Sequence, residues 1–96
     1  MNTQRESKRM PTVFEERVYA VVRRIPRGQT RSYRWVAERL GNPALARAVG
    51  NALNRNPYAP QVPCHRVIRA SGALGGFAGG PHRKRTLLLQ EGLQSV

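Results

Sequence analysis

The stretch that decides the fold is residues 32–54, which read SYRWVAERLGNPALARAVGNALN. Ser32 is a good N-cap for a helix that reaches Leu40, and Gly41 suits the position just after that helix ends. The pair Asn42-Pro43 then predicts a second helix after a very tight connection, because asparagine caps helices and proline is accepted in their first turn. The sequence therefore predicts two consecutive helices joined by a short turn.

The second of these helices has two different faces. Apolar side chains recur at helical spacing on one face, at Leu45, Ala48, Val49, Ala52 and Leu53. Small and polar residues form the other face, at Ala44, Arg47, Gly50, Asn51 and Asn54. This pattern is typical of a helix-turn-helix whose second helix is presented to DNA. An αα-hairpin in a small helical bundle is the alternative.

The charge of the chain favours a polyanionic partner. Seventeen Lys and Arg residues against five Asp and Glu residues give a net charge of +12 over 96 residues. Such a field concentrates nucleic acid around a protein, although a soluble domain that is basic without this function is the alternative. The acidic side chains lie early in the chain, and the single one after Glu38 is Glu91.

Composition also bounds the class of protein. One cysteine and two histidines allow no internal disulfide and predict no metal site. We expect no cofactor, a monomer, and no membrane association, because no apolar run reaches membrane-spanning length. The free thiol and the absence of a signal-peptide pattern predict a reducing intracellular compartment, which is the cytoplasm or nucleoid of a prokaryote or the nucleus of a eukaryote.

A further amphipathic helix precedes the central stretch. Thr12 and Glu15 form the pattern of a capping box, and apolar residues recur at helical spacing to Ile25 before a proline ends the run. Residues 1–11 are polar and are expected to be a flexible tail, so that residues 12–96 form a single domain.

The region after the central stretch carries the candidate chemistry. A proline-rich connector leads to Pro63-Cys64-His65-Arg66, and Val67-Ile68 then predicts a short strand with Ala73-Leu74 as a possible partner. A lone thiol beside a histidine is a candidate nucleophile, whereas a packed core cysteine is the alternative. Four glycines surround Phe77, which predicts either a loop that approaches another molecule or a flexible linker.

A last helix is predicted from Pro81 to a stop at Gly92. Its three consecutive leucines are expected to pack inward, at Leu87, Leu88 and Leu89.

Five motifs occur in an order that a known family shares. They are Ala46-Arg47-Ala48-Val49-Gly50, Asn56-Pro57, Pro63-Cys64-His65-Arg66-Val67, the glycine-rich loop, and the ending Glu91-Gly92. Over about residues 13–92 the chain resembles the C-terminal domain of O6-alkylguanine-DNA alkyltransferases, also called methylated-DNA–protein-cysteine methyltransferases. The resemblance implies a mainly α fold with a small β element, a winged helix-turn-helix. It also implies binding of double-stranded DNA containing O6-alkylguanine through the minor groove, with the damaged nucleotide rotated out of the stack.

The resemblance implies the catalytic residues. Cys64 would attack the alkyl carbon on guanine O6 and keep the alkyl group, so that each molecule acts once. His65 would draw the thiol proton through a bridging water, and Glu91 would orient His65. Tyr33 would assist rotation of the nucleotide and donate a proton to guanine N3, while Asn56 would join the recognition helix to the active-site segment. These residue types suit the reaction, because displacement needs a thiolate, and a histidine base needs an acid to orient it.

The binding residues that the resemblance implies form two groups. Those expected to contact DNA are Tyr33, Arg34, Ala46, Arg47, Gly50, Asn51 and Arg66, with Arg47 entering the stack in place of the rotated base. Those expected to line the substrate pocket are Val67, Gly75, Gly76, Phe77, Ala78 and Gly79.

The chain departs from the family pattern in three ways. The N-terminal domain that often precedes this one is expected to be absent, Phe77 stands where many members have tyrosine, and Arg34 stands where glycine or glutamine is common. Two other functions stay open. An alkyltransferase-like protein would bind O6-alkylguanine without transferring the group, and an architectural DNA-binding domain would keep Cys64 as a packed side chain.

Overall fold

The computed structural model describes residues 10–74 and 80–93. Its elements in chain order are helix α1 (Val13–Val22), strand β1 (Arg31–Ser32), helix α2 (Tyr33–Arg39), a 3₁₀ turn (Pro43–Leu45), helix α3 (Ala46–Asn54), a second 3₁₀ turn (Cys64–Arg66), strand β2 (Val67–Ile68) and helix α4 (Pro81–Gln90). The predicted fold class, mainly α with a small β element, is confirmed. Among the described residues, no helix is long and apolar enough to cross a membrane.

Helix α1 begins with the capping box that the sequence predicts. The Glu15 amide donates to Thr12 Oγ1 at 3.0 Å, and the Thr12 amide donates to Glu15 Oε1 at 2.9 Å. Two amides that the start of a helix leaves without partners are thereby satisfied. The helix ends at Val22, earlier than predicted, because the amides of Arg24 and Ile25 bond three residues back, to Val21 and Val22, and tighten the chain into a turn. Ile25 beyond that turn is nevertheless buried in the core.

Helices α2 and α3 form the predicted helix-turn-helix. Ser32 caps α2 by accepting a hydrogen bond from the Trp35 amide at 2.8 Å. Gly41 follows the end of α2 with φ = 98°, a conformation that favours glycine. Asn42 Oδ1 accepts from the Ala44 amide at 2.9 Å, and the chain makes one 3₁₀ turn before it continues as α3. Side-chain caps therefore set where α2 and the 3₁₀ turn begin, whereas α3 continues from that turn without a side-chain cap of its own.

The two strands form a parallel pair, in the register Arg31 with Val67 and Ser32 with Ile68. The predicted partner Ala73-Leu74 does not form a strand in the described residues, and its one backbone contact to this segment is the hydrogen bond that the Arg69 amide donates to the Ala73 carbonyl at 2.8 Å, across a turn. Strand β1 leads directly into α2, and β2 directly follows the Cys64 turn. The register places Tyr33, the first residue of α2, beside Arg69, and Tyr33 is also close enough to Cys64 for the two side chains to interact electrostatically.

Helix α4 opens at Pro81 as predicted, and Gly92 follows its end with φ = 103°. Leu88 is fully buried, but the prediction that Leu89 packs inward is wrong, since 46% of its surface is exposed. Lys84, one turn before Leu88 on the same face, is fully buried instead. The inward face of α4 therefore carries a lysine as well as a leucine.

The core lies between the first three helices and the two strands. Its buried apolar side chains are Val18, Tyr19, Val22, Ile25, Val36, Ala37, Val49, Ala52, Leu53, Val62 and Val67. The Tyr19 hydroxyl donates to the Ala52 carbonyl at 2.7 Å, so this polar group keeps a partner in an apolar setting.

Candidate active site

Cys64 lies in a 3₁₀ turn that immediately precedes β2. Its amide donates to the Val62 carbonyl at 2.8 Å, and the Arg66 amide donates to the Pro63 carbonyl at 2.9 Å. The thiol is free and half-buried. A tight turn held in this way presents the cysteine at a fixed position instead of burying it in the centre of the core.

His65 and Glu91 meet although they are far apart in sequence. His65 Nε2 lies 2.8 Å from Glu91 Oε2, and only 6% and 8% of the two side chains are exposed. An ionised carboxylate is an acceptor only, so Nε2 must carry the hydrogen and Nδ1 of a neutral ring is left as an acceptor. The structure therefore brings together the predicted base and its predicted acid, in a geometry that selects one tautomer.

Glu91 is held in its charged form. Hydrogen bonding from Arg66, and after it from His65, lowers the pKa of Glu91 from 4.5 to about 2, although burial acts in the opposite direction. The carboxylate is therefore ionised at neutral pH and can stabilise positive charge on the imidazole that it contacts.

Arg66 takes a different place from the DNA-facing one predicted for it. Its Nε and Nη2 donate to the two Glu91 oxygens at 2.9 and 2.7 Å, and its Nη1 donates to the Ile25 carbonyl at 2.8 Å. Only 15% of the side chain is exposed. Its guanidinium is turned inward and each of its nitrogens is already bonded, so the predicted DNA contact of Arg66 stays a prediction that this geometry does not support.

The cysteine, the histidine and the glutamate share one cavity of about 460 Å³. This volume is in the range of small-ligand sites. Its lining residues are Arg27, Ala59, Pro60, Cys64, His65, Arg83, Leu87, Gln90 and Glu91. A reacting group that enters the cavity can therefore meet a thiol and a histidine whose Nε2 is already bonded to Glu91.

A second cavity, of about 340 Å³, opens on the small face of α3. Its lining residues are Tyr33, Ala46, Arg47, Gly50, Asn51, Asn54 and Arg69. Five of the predicted DNA-contact residues are thus brought together, and Asn54 and Arg69 join them. A Cβ on Gly50 would lie 3.8 Å from the Tyr33 ring, in ordinary van der Waals contact, so the Tyr33 ring lies directly against this face of α3.

Lys84 is the functional candidate that sequence reasoning missed. Its Nζ donates to Tyr33 Oη at 3.3 Å and to the Leu74 carbonyl at 2.5 Å, and it lies 5.5 Å from the centre of the Tyr33 ring. Burial lowers the pKa of Lys84 to about 8, while negative charge on Cys64 acts to raise it. Burial also raises the pKa of Tyr33, so the phenol keeps its proton at neutral pH. The sequence around Lys84 is basic and polar and gives no signal of this burial.

The remaining predicted residues are dispersed. Asn56 closes the connector, since its Nδ2 donates to the Val62 carbonyl and its Oδ1 accepts from the Tyr58 amide, both at 2.8 Å.

Arg34 is exposed and pairs with Glu38 at 3.3 Å. Val67 is fully buried in the core and lines neither of the two cavities, and its assignment to the substrate pocket stays a prediction. The predicted pocket residues Gly75, Gly76, Phe77, Ala78 and Gly79 lie outside the described residues.

Comparison with known proteins gives a family match. Residues 13–93 match the model of the 6-O-methylguanine DNA methyltransferase DNA-binding domain. A methylated-DNA–protein-cysteine methyltransferase of Mycobacterium leprae is 57% identical over 77 residues, which are 80% of this chain and 47% of that protein. The chain thus spans about half the length of the curated relatives that it matches.

Solved structures give the same result for the fold. The Mycobacterium tuberculosis protein OGT, crystallised in complex with DNA, superposes with a TM-score of 0.82 at 52% identity, over 85% of this chain and 51% of that one. S. pombe Atl1, crystallised with damaged DNA containing O6-carboxymethylguanine, superposes with a TM-score of 0.74 at 35% identity, over 82% of this chain and 75% of that one. These matches agree with the helix-turn-helix fold class predicted from the sequence.

Proposed function

Because the chain belongs to the family of 6-O-methylguanine DNA methyltransferases, whose DNA-binding domain its residues 13–93 match, we propose that it repairs DNA by moving an alkyl group from guanine O6 to Cys64. We also propose that it corresponds to the C-terminal, cysteine-bearing part of its longer relatives. The observation that carries the proposal is the hydrogen bond between His65 and Glu91 in the cavity that Cys64 lines.

The proposed reaction is a displacement at the alkyl carbon. The Cys64 sulfur forms a bond to that carbon, the bond from carbon to guanine O6 breaks, and its electron pair leaves with the guanine. The thiol proton goes to His65 Nδ1, directly or through a water, because Nε2 is engaged with Glu91. The product is a thioether, which leaves no thiolate for a second cycle, so each molecule acts once.

Tyr33 and Lys84 would serve the leaving group and the thiolate. The ammonium of Lys84 donates to the Tyr33 oxygen, and the phenol would donate its proton to guanine N3 and neutralise the departing base. Negative charge on Cys64 favours the charged form of Lys84, so one buried cation lies near both Tyr33 and the thiol.

The proposed substrate is double-stranded DNA that contains O6-alkylguanine, bound by a monomer through the minor groove. Guanine O6 is hidden in the stack of a duplex, so the nucleotide must be rotated out, which costs a few kcal/mol. The cavity on the small face of α3 supports this proposal, because it combines Tyr33 and Arg47 with a narrow helix surface. Arg47 is exposed and can fill the gap that the rotated base leaves.

The test is an intact-mass measurement after the protein is incubated with a duplex that carries O6-methylguanine. The proposal expects a single added methyl group, mapped to the peptide of Cys64, and no addition in Cys64→Ser. The control is the same duplex with unmodified guanine. An unchanged mass with the modified duplex would refute alkyl transfer.

Lesion binding without transfer is the second candidate function, and the likeness to S. pombe Atl1 supports it. The presence of Cys64 at the expected position argues against it. In the same assay, selective binding of the modified duplex with unchanged mass would favour this function. Equal binding of both duplexes with unchanged mass would favour an architectural DNA-binding domain.

A further inference from the structure

The basic turn at residues 25–28 lies against the end of α4. Arg27 Nη2 donates to the Gln90 carbonyl at 3.2 Å. Gly28 has φ = 85°, and a Cβ placed on it would lie 3.0 Å from the Glu91 carbonyl oxygen, closer than ordinary van der Waals contact. The turn therefore contacts the backbone of Glu91 and of the residue before it, although more than sixty residues separate them in the chain.

Arg66 connects the same turn to the Glu91 carboxylate. Two guanidinium nitrogens hold the two carboxylate oxygens, and the third donates to the Ile25 carbonyl at 2.8 Å. A guanidinium is planar and rigid, so the direction of the Ile25 carbonyl fixes the direction in which the carboxylate is held. Backbone and side chain of Glu91 are thus both tied to one turn.

We propose that Arg66 and the turn at residues 25–28 are positioning elements for alkyl transfer, because they set the Glu91 carboxylate and through it the His65 ring. The inference rests on the proposed function and adds residues that the resemblance did not assign to catalysis. Its physical basis is that Glu91 Oε2 accepts from both Arg66 and His65, at 2.7 and 2.8 Å. A displacement of the carboxylate therefore displaces the imidazole.

The charges around Glu91 act in the same sense. Arg66 is the largest cause of the lowered pKa of Glu91, and His65 contributes after it. Arg27 and Arg83 line the same cavity. The carboxylate is therefore ionised throughout the neutral pH range, and the role of Arg66 is expected to be one of geometry there.

The first test is a double-mutant cycle on the reaction with free O6-benzylguanine, which needs no DNA. We expect Arg66→Met and Glu91→Gln each to slow alkylation on the order of 10²-fold, because a small misplacement of a catalytic group has effects of this size. The double variant is expected to be no slower than Glu91→Gln alone, since both changes act through the same carboxylate. If the rate reductions of the two single variants multiply in the double variant, the proposal is overturned.

Two companion variants keep this test interpretable. Arg66→Lys retains the charge but cannot bridge both carboxylate oxygens and the Ile25 carbonyl, so its rate is expected to lie between wild type and Arg66→Met. Arg55→Met removes another arginine that pairs with a buried glutamate, Glu15, and should react at the wild-type rate. A wild-type rate for Arg66→Lys with a slow Arg55→Met would contradict positioning.

The second test uses two glycines that differ in one contact. Gly28→Ala strains a positive φ and presses a Cβ against the Glu91 carbonyl, whereas Gly41→Ala strains φ = 98° with nothing within 4 Å of the added carbon. We expect both to lose stability, but only Gly28→Ala to react about tenfold more slowly with O6-benzylguanine. Equal rates in the two folded variants would overturn the role of the turn.

Failure of this inference is distinguishable from failure of the proposed function. If wild type gains no methyl group on Cys64, the proposed function is refuted. If wild type reacts and the folded Arg66→Lys and Gly28→Ala variants match its rate, only the positioning role is refuted. Circular dichroism and binding of an undamaged duplex establish that each variant is folded.

Discussion

Two buried glutamates in this chain take a charged partner in nearly the same way, yet they serve different ends. Glu15 Oε2 accepts from Arg55 Nε at 2.8 Å and Nη2 at 2.7 Å, while its Oε1 accepts from the Thr12 amide at the start of α1. Glu91 also accepts from two arginine nitrogens, but its shared oxygen faces His65. An arginine partner is therefore common to a carboxylate with a structural role and to one in a candidate active site. The two glutamates differ in their third partner, which is a backbone amide for Glu15 and an imidazole for Glu91.

The largest expected effect is on the rate of Cys64 alkylation, which a change at Glu91 should lower and a change at Glu15 should not. Glu91→Gln keeps the shape but loses the charge that orients and stabilises a protonated His65, so alkylation of Cys64 should fall at least about 10²-fold, the usual worth of general-base assistance. Glu15→Gln is expected to react at the wild-type rate. The measurement is the time course of methyl addition by intact mass. Alkylation of Glu91→Gln at the wild-type rate would show that Glu91 contributes no more to the reaction than Glu15 does.

The second effect separates them by stability. Glu15→Ala removes the capping box and the bond to Arg55, which together should cost about 2–3 kcal/mol of unfolding free energy. Urea unfolding measures this loss, and the rate per folded molecule is expected to stay unchanged because Glu15 lies on α1. Glu15→Gln serves as the control, since glutamine can still complete a capping box. Slow alkylation by folded Glu15→Ala would contradict the assignment.

A smaller effect appears at acid pH. The folded pKa of Glu91, about 2, lies below its unfolded value of 4.5, so the unfolded chain binds more protons between these values. Its contribution to stability is therefore present above pH 4.5 and is lost as pH falls toward 2. Urea unfolding of wild type and Glu91→Gln should show a difference at pH 6 that shrinks progressively below pH 4.5. A constant difference would mean that this carboxylate does not titrate as the geometry implies.

The smallest effect comes from salt. Arg55 is 52% exposed whereas Arg66 is 15% exposed, so dissolved ions screen the pair at Glu15 more than the pair at Glu91. Raising salt to about 1 M should reduce the stability difference between wild type and Glu15→Gln by roughly 0.5 kcal/mol, within the range of exposed pairs. The difference between wild type and Glu91→Gln should change less. A larger salt effect at Glu91 than at Glu15 would show that solvent exposure does not decide how strongly salt weakens these ion pairs.

Features that depend on neighbouring residues could be predicted from the sequence. The capping box of Thr12 and Glu15, the Ser32 cap and the Asn42-Pro43 start all follow from side chains that bond amides two or three residues away. The contact between His65 and Glu91 could also be predicted, but on different grounds. These were the family resemblance and the scarcity of acidic residues in the second half of the chain.

Features that depend on distant contacts could not be predicted. The sequence predicts Arg66 as a DNA contact because it lies close to Cys64 in a basic chain, but Glu91 and the Ile25 carbonyl turn it inward. The partner of β2 was missed because a strand of two residues carries no periodic pattern, and β1 lies 36 residues earlier by its register, Arg31 with Val67. Lys84 was missed because its burial depends on Tyr33 and Leu74.

The burial of the Lys84 ammonium lowers the stability of the folded domain. Its pKa is about 8 in the folded domain and 10.5 in the unfolded chain, so between these pH values the unfolded chain holds more of the proton. The contribution of this residue to stability therefore rises as pH rises from 8 toward 10.5, and at neutral pH it opposes folding. A methionine in its place should raise the melting temperature while it removes the positive charge beside the thiol. At this position the domain gives up stability and keeps a positive charge near Tyr33 and Cys64, a compromise that is compatible with the proposed single-turnover reaction.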